Sequence, residues 1–286
     1  MGGPARAADR KEGRVKLLRP GALISLALLL LAVLGPLLVG GDPAALGPSE
    51  AGLHPPSAAH PLGTDIHGRD LWLRIVHGSR VSLLVGWLSV LVAVGLGTAV
   101  GLGAGLGPRF LDRGLMMLTD LFLAFPRLFL VLLLISLGRP GLTPVVLVIG
   151  LTGWMPVARL VRAETLSLRE RDFVMAARQL GFSTWRVALW HILPNLLPLI
   201  IVTAALRVGG AILTESFLGF LGLGVQEPGV SWGGLIQQGR QHLLDGWWLT
   251  LFPGVAIALT VLGYNLLADE ARAALDPRQD EGGVRP

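Results

Sequence analysis

The stretch RDFVMAARQLGFSTWRVALWHILPN, Arg171 to Asn195, is a long polar interruption between two strongly apolar segments. It belongs to a region, Arg159 to Pro194, that carries arginines at 159, 162, 169, 171, 178 and 186. Phe173, Ala176, Ala177 and Leu180 fall at i, i+3, i+4 and i+7, the spacing of one helix face. After Gly181, the residues Trp185, Ala188, Leu189 and Ile192 repeat it. Two short amphipathic helices joined at a glycine and held at a membrane surface form a platform on which another molecule can dock.

The flanks of this platform set the class of the protein. The 286 residues are 52% hydrophobic and 15% charged, against about 25% charge in soluble domains. An apolar helix needs about 20 residues to cross a bilayer of about 30 Å. Segments near 18–39, 81–106, 115–137, 142–161, 195–218 and 247–268 meet that requirement. The alternating pattern of a β-barrel is absent, so an all-α polytopic membrane protein with six transmembrane helices is expected. The net charge of +5 is not gathered on one face but spread over the ends of apolar segments, which argues against nucleic acid and for a lipid bilayer. No cysteine is present, so disulfides, thiol chemistry and cysteine-bound metals are excluded.

Orientation follows from the basic residues. Arg6, Arg10, Lys11, Arg14, Lys16 and Arg19, then Arg109 and Arg113, then the platform arginines, then Arg272, Arg278 and Arg285 all fall on one side. The other side holds only Arg69, Arg74, Arg80, Arg139 and Arg240. By the positive-inside rule both termini and the platform are expected in the cytoplasm. The first segment has the basic start of a signal peptide, but its apolar run is long for one and no clear A-x-A site follows, so an uncleaved anchor is the better reading. In the second segment Gly97, Gly101 and Gly105 form overlapping G-x-x-x-G units, expected to pack tightly within the subunit.

No catalytic constellation emerges. Lys11 and Lys16 are the only lysines and neither sits in G-x-x-x-x-G-K-[ST]; H-E-x-x-H and G-x-S-x-G are also missing. The histidines are scattered, and no metal or other cofactor is expected on this chain. The candidate translocation-path residues are the charges in or near the spans: Asp120, Arg207 and Glu215. Structural pairing is the competing reading for all three. The chain reads as a pathway without its own engine, whose platform inserts an apolar helix face into a groove on a cytoplasmic partner.

At these residues the chain resembles the inner-membrane permease subunits of ABC importers, specifically the second permease of the dipeptide/oligopeptide/nickel group. Met175-Ala176-Ala177, Gly181 and Ile192-Leu193-Pro194 are similar to that superfamily's E-A-A-x-x-x-G…I-x-L-P loop, with methionine in place of glutamate. HPLGTDIHGRDLWLRIVHGSRVSLLVG (His60–Gly86) and GGAILTESFLGFLGLGVQEPGVSWGGLI (Gly209–Ile236) are similar to two further signatures of the group. His67 and Arg127 depart from its usual residues. The resemblance implies a type I ABC importer transmembrane fold, N-in/C-in. The basic cytoplasmic tail would be 1–17, the anchor helix 18–39, the external loop 40–80, the permease core 81–268 with a coupling loop at 162–194, and a cytoplasmic tail 269–286.

It also implies that Arg171, Asp172, Phe173, Ala176, Ala177, Leu180 and Gly181 couple the chain to an ATPase, with ATP and Mg held on partner subunits. Those partners would be two ATP-binding subunits or domains, a homologous second permease and an extracytoplasmic solute-binding protein. The expected activity is uptake of di- or oligopeptides by alternating access, with nickel or another small solute as the alternative cargo. An ion-gradient-driven secondary carrier and a membrane scaffold are the readings from other classes.

Overall fold

A computed structural model describes residues 19–47 and 52–275. The basic tail at 1–17 and most of the C-terminal tail lie outside the described residues. The described residues are helical throughout, apart from loops and one isolated bridge between Thr64 and Asp70. Five helical stretches are long and apolar enough to cross a membrane: Pro20–Val39, Leu71–Leu106, Leu142–Leu168, Thr184–Phe220 and Trp248–Leu275. A sixth is obtained if Arg109–Leu123 and Arg127–Ser136, bent by 85° at their junction, count as one broken span. Leu37, Leu38 and Leu91 on their outer faces are 75%, 81% and 70% exposed, as lipid-facing leucines must be.

Helix α2 (Leu71–Leu106) is the axis of the bundle, packed against α1 (Pro20–Val39), α5 (Leu142–Leu151), α6 (Trp154–Leu168) and α9 (Leu193–Phe220). The expected glycine stripe makes the closest of these approaches. A Cβ on Gly97 would lie 2.8 Å from the Trp154 carbonyl, one on Gly101 2.7 Å from the Ala158 carbonyl, and one on Gly105 2.6 Å from the Thr165 methyl. The stripe is therefore an intrachain seam, in which absent side chains let two backbones approach in a medium that gives helices no hydrophobic drive to associate.

Helix α11 (Trp248–Leu275) lies against α9 and α1, and the short α10 (Trp232–Gly239) wedges between α9 and α11. The start of α1 is held by the far end of the chain. The Glu270 carboxylate of α11 accepts from the backbone N–H of Gly21 at 2.7 Å and of Ala22 at 3.0 Å. Two of the free N–H groups that open any helix are thus satisfied by a negative charge at the positive end of the dipole.

Most boundaries differ from those read in the sequence, among them the starts of the third and fifth spans, at Arg109 and Thr184, and the end of the last, at Leu275. Three differences have a plain cause. Helix α2 begins at Leu71 rather than 81, because Asp70 caps it by accepting from the Leu73 N–H at 3.0 Å. The third span is broken between α3 (Arg109–Leu123) and α4 (Arg127–Ser136), since Pro126 lacks an N–H and keeps Phe125 from continuing the helix. The fourth breaks at Thr152–Gly153, where Pro156 cannot donate back to the Thr152 carbonyl, and α6 then runs on to Leu168.

Candidate functional site

The platform expected at 162–194 narrows to a loop bearing α7 (Asp172–Gln179), with Arg171 as its N-cap residue. Asp172 in the first turn and Arg178 in the last both complement the helix dipole. Gly181 ends the helix with φ of 81°, a left-handed angle that glycine adopts without a Cβ clash. Its N–H donates to the Arg178 carbonyl at 3.0 Å, and the Phe182 N–H donates to the Ala177 carbonyl at 3.2 Å. This is the paired closure of a Schellman motif, and it fixes the direction in which the chain leaves α7.

Downstream of the turn the expected second short helix does not exist as a separate piece. The chain enters α8 (Thr184–Val187), passes through a π-helical turn at Ala188–Ile192 and continues into α9, so one helical stretch runs from Thr184 to Phe220. Pro194 has no N–H with which to keep the α-helical ladder, and the register slips by one residue just before it. The Asn195 amide donates to the His191 carbonyl at 2.7 Å across the join. The second half of the platform is thereby continuous with a membrane span, and α7, across the turn at Gly181, packs against its first turns.

The two faces of α7 are now distinguishable. Val174 and Ala177 are buried, at 0% and 4% exposure, and α7 rests through them on α8 and the π turn, where Val187 and Ile192 are also buried. Phe173, Met175, Ala176, Leu180 and, beyond the turn, Trp185 and Trp190 face outward; Leu180 and Trp190 are each 76% exposed. Ala177, expected on the docking face, therefore belongs to the inner one. The four-residue stripe was broad enough to include both edges of the helix, and packing selects which edge turns inward.

The platform arginines divide in the same way. Arg162 holds Asp112 of α3 through both carboxylate oxygens, Arg159 reaches Asp120 at 2.5 Å, and Arg169 donates to the Gly105 carbonyl at 3.1 Å. These three fasten α6 to α2 and α3. Arg171, Arg178 and Arg186 stay exposed, the last with its guanidinium 5.4 Å from the centre of the Phe182 ring.

The expected translocation-path residues are not brought together. Asp120 is exposed and paired with Arg159 of α6. Glu215 is fully buried inside the chain, accepting from Ser82 at 3.2 Å and Ser216 at 3.4 Å, so it braces α9 against α2 instead of lining a passage. Arg207 alone borders a polar cavity, of about 190 Å³, shared with Arg127.

At the opposite end lies a cluster the sequence reading did not assemble. Asp65 accepts from Arg69 at 2.7 Å and from Arg74, and these three side chains are all at least nine-tenths buried. Arg69 also donates to Glu227 at 3.1 Å, Arg74 to Gln238 at 2.8 Å, and Gln238 to Glu227 at 3.2 Å. Trp248 donates to the Thr64 carbonyl at 3.1 Å, and Trp232 to the Ile75 carbonyl at 3.0 Å. Burial alone would raise the Asp65 carboxyl, but hydrogen bonds from the Arg69 backbone and side chain and the Arg74 charge hold it below its usual value. The segment before α2 and the loop after α9 are thus welded into one cap. The signal was present in the spacing of Asp65, Arg69 and Arg74, but their partner at 227 lies too far along the chain for a pattern to find.

Known proteins with the same organisation give this geometry a family. Residues 97–281 match the family described as binding-protein-dependent transport system inner membrane component. The dipeptide transport system permease protein DppC of Alkalihalophilus pseudofirmus is 41% identical, over 96% of this chain and 90% of that protein. The probable D,D-dipeptide transport system permease protein DdpC of Escherichia coli is 40% identical, over 90% of this chain and 86% of its own. A solved structure of the MetNI methionine ABC transporter, inward facing, superposes with a TM-score of 0.58 at 18% identity, covering 71% of this chain and 96% of that one. That likeness extends the type I importer fold to the bundle described above. The chain belongs to the family of inner-membrane components of binding-protein-dependent transport systems, and it is a multi-pass permease subunit of an ABC importer.

Proposed function

We propose that this permease moves di- or oligopeptides inward by alternating access, with α7 as the helix that transmits movement from a cytoplasmic ATPase. The observation that carries the reading is α7 itself. Its inner face is locked to the start of a membrane span by Val174 and Ala177, its exit is fixed by Gly181, and its outer face leaves Phe173, Ala176 and Leu180 exposed among the described residues. An exposed apolar helix face of this kind suits a groove on a partner. Arg171, Asp172 and Arg178 surround it and set the rim of the contact.

In this reading both termini and α7 are cytoplasmic, and the Asp65–Arg69–Arg74–Glu227 cap faces an external solute-binding protein. A homologous second permease completes the passage, and ATP and Mg are held by two ATP-binding subunits. Peptide cargo is supported by the names of the relatives, which are permeases for dipeptides and D,D-dipeptides.

The test is reconstitution of the chain with the subunits that co-purify with it. Uptake of a labelled dipeptide should require ATP and the binding protein. Ala176→Asp and Gly181→Val should leave the subunit inserted and the complex hydrolysing ATP while uptake falls by an order of magnitude or more. Ala177→Asp is the poorer probe of docking, since it would bury a charge in the seat of α7. Uptake by the lone chain driven by an ion gradient would overturn the reading.

A further inference from the structure

The cavity shared by Arg127 and Arg207 is lined also by Ser89, Gly153 and Gly210. Arg207 sits halfway along α9, on the order of 20 Å from either end at 1.5 Å per residue, and so near the middle of the membrane. Neither arginine has an ion-pair partner among the described residues. Arg207 gives one N–H to the Gly153 carbonyl at 3.0 Å, at the break between α5 and α6. Arg127 is the first residue of α4, at the break between α3 and α4. Two helix interruptions thus converge on two guanidiniums that lack a carboxylate among the described residues, and the positive end of α4 adds to their field.

Charge in the middle of a membrane is expensive and persists where it faces a cavity or a partner. Here both charges have one sign, so neither relieves the other, and a pair for structure alone would place a carboxylate opposite. Guanidinium groups match a carboxylate through paired N–H donors. We propose that Arg127 and Arg207 form a station for an anionic group of the cargo, which for a peptide is its free C-terminal carboxylate. The assignment of that carboxylate rests on the peptide reading above; the preference for an anion does not. The two arginines draw the anionic end of the cargo into the mid-membrane cavity, and the Gly153 carbonyl, which already takes one Arg207 N–H, keeps the contact weak enough to release.

Gly210 supplies the probe. It lines the cavity one turn from Arg207, and a Cβ added there meets nothing within 4 Å, while the native chain has no cysteine. In the assembled transporter, Gly210→Cys should react with the negatively charged sulfonatoethyl methanethiosulfonate about tenfold faster than with the positively charged trimethylammonium reagent. That preference should vanish when Arg127→Gln or Arg207→Gln is added, and persist with Arg127→Lys or Arg207→Lys. The same glutamine substitutions in the cysteine-free chain should lower ATP-driven uptake of alanyl-alanine about tenfold, with partial recovery in the lysine variants.

A reagent preference unchanged by the glutamine substitutions overturns the proposal, as does a cysteine that reacts with neither reagent with or without ATP. Undiminished uptake in both assembled glutamine variants also overturns it. If the arginine-dependent preference holds but the unmodified transporter takes up no alanyl-alanine, the peptide reading falls and the anion station stands for another anionic cargo.

Discussion

At the scale of single residues, the cap at the proposed outer end depends most on Asp65. It is the buried one of two carboxylates that Arg69 and Arg74 share, the other, Glu227, being 58% exposed. Asp65→Asn keeps the shape but leaves two buried cations with only the exposed Glu227 as a carboxylate partner among the described residues, and should cost about 3 kcal/mol, read as a lowered Tm of the purified subunit. The pH dependence has a definite sign. A carboxyl held below its usual value in the folded state contributes stability that is complete above its unfolded-state pKa of about 4 and is lost as pH falls through the folded one. Thermal unfolding followed downward from pH 7 should therefore show no loss from this group until below about pH 4. The Asn variant should lack that acid-dependent part.

Helix pairs are governed by where backbones can touch. Gly101→Leu must displace the Ala158 carbonyl or Val161 at the α2–α6 seam, whereas Gly103, in the same helix, has only Leu115 within reach at 3.8 Å. Gly101→Leu should destabilise the subunit by about 1–3 kcal/mol, and Gly103→Ala should be close to neutral. Size-exclusion profiles and Tm in detergent separate the two. The seam was legible in the sequence because its period of four is local. So were α7 and its closing glycine, to within a residue. The breaks at Pro126 and Thr152–Gly153 were not, because an apolar average over a span passes smoothly across one proline or glycine. The first ten residues of α2 were also missed: Arg74 and Arg80 made them look like loop, and the partners that let Arg74 be buried lie at Asp65, Glu227 and Gln238. Glu215 and Ala177 show the same limit in miniature. A residue type and a period name the face it shares, but only the packing of distant helices says whether that face meets a cavity, a partner or the chain's own core.

For the whole molecule, the contact between first and last helices is the point where the bundle closes. Glu270→Ala should uncap α1 and cost about 1 kcal/mol, with faster proteolysis at its start as the direct readout. Glu270→Gln keeps an acceptor and should lose less. This contact also orders events in time. The groups it joins are 249 residues apart, so at about 5–20 residues per second the ribosome needs on the order of ten seconds or more to deliver the carboxylate after the first helix has emerged. Throughout that interval the Gly21 and Ala22 N–H groups at the N-terminal end of α1 lack their carboxylate acceptor. A nascent chain that stops short of α11 keeps that end open, which marks it physically as unfinished.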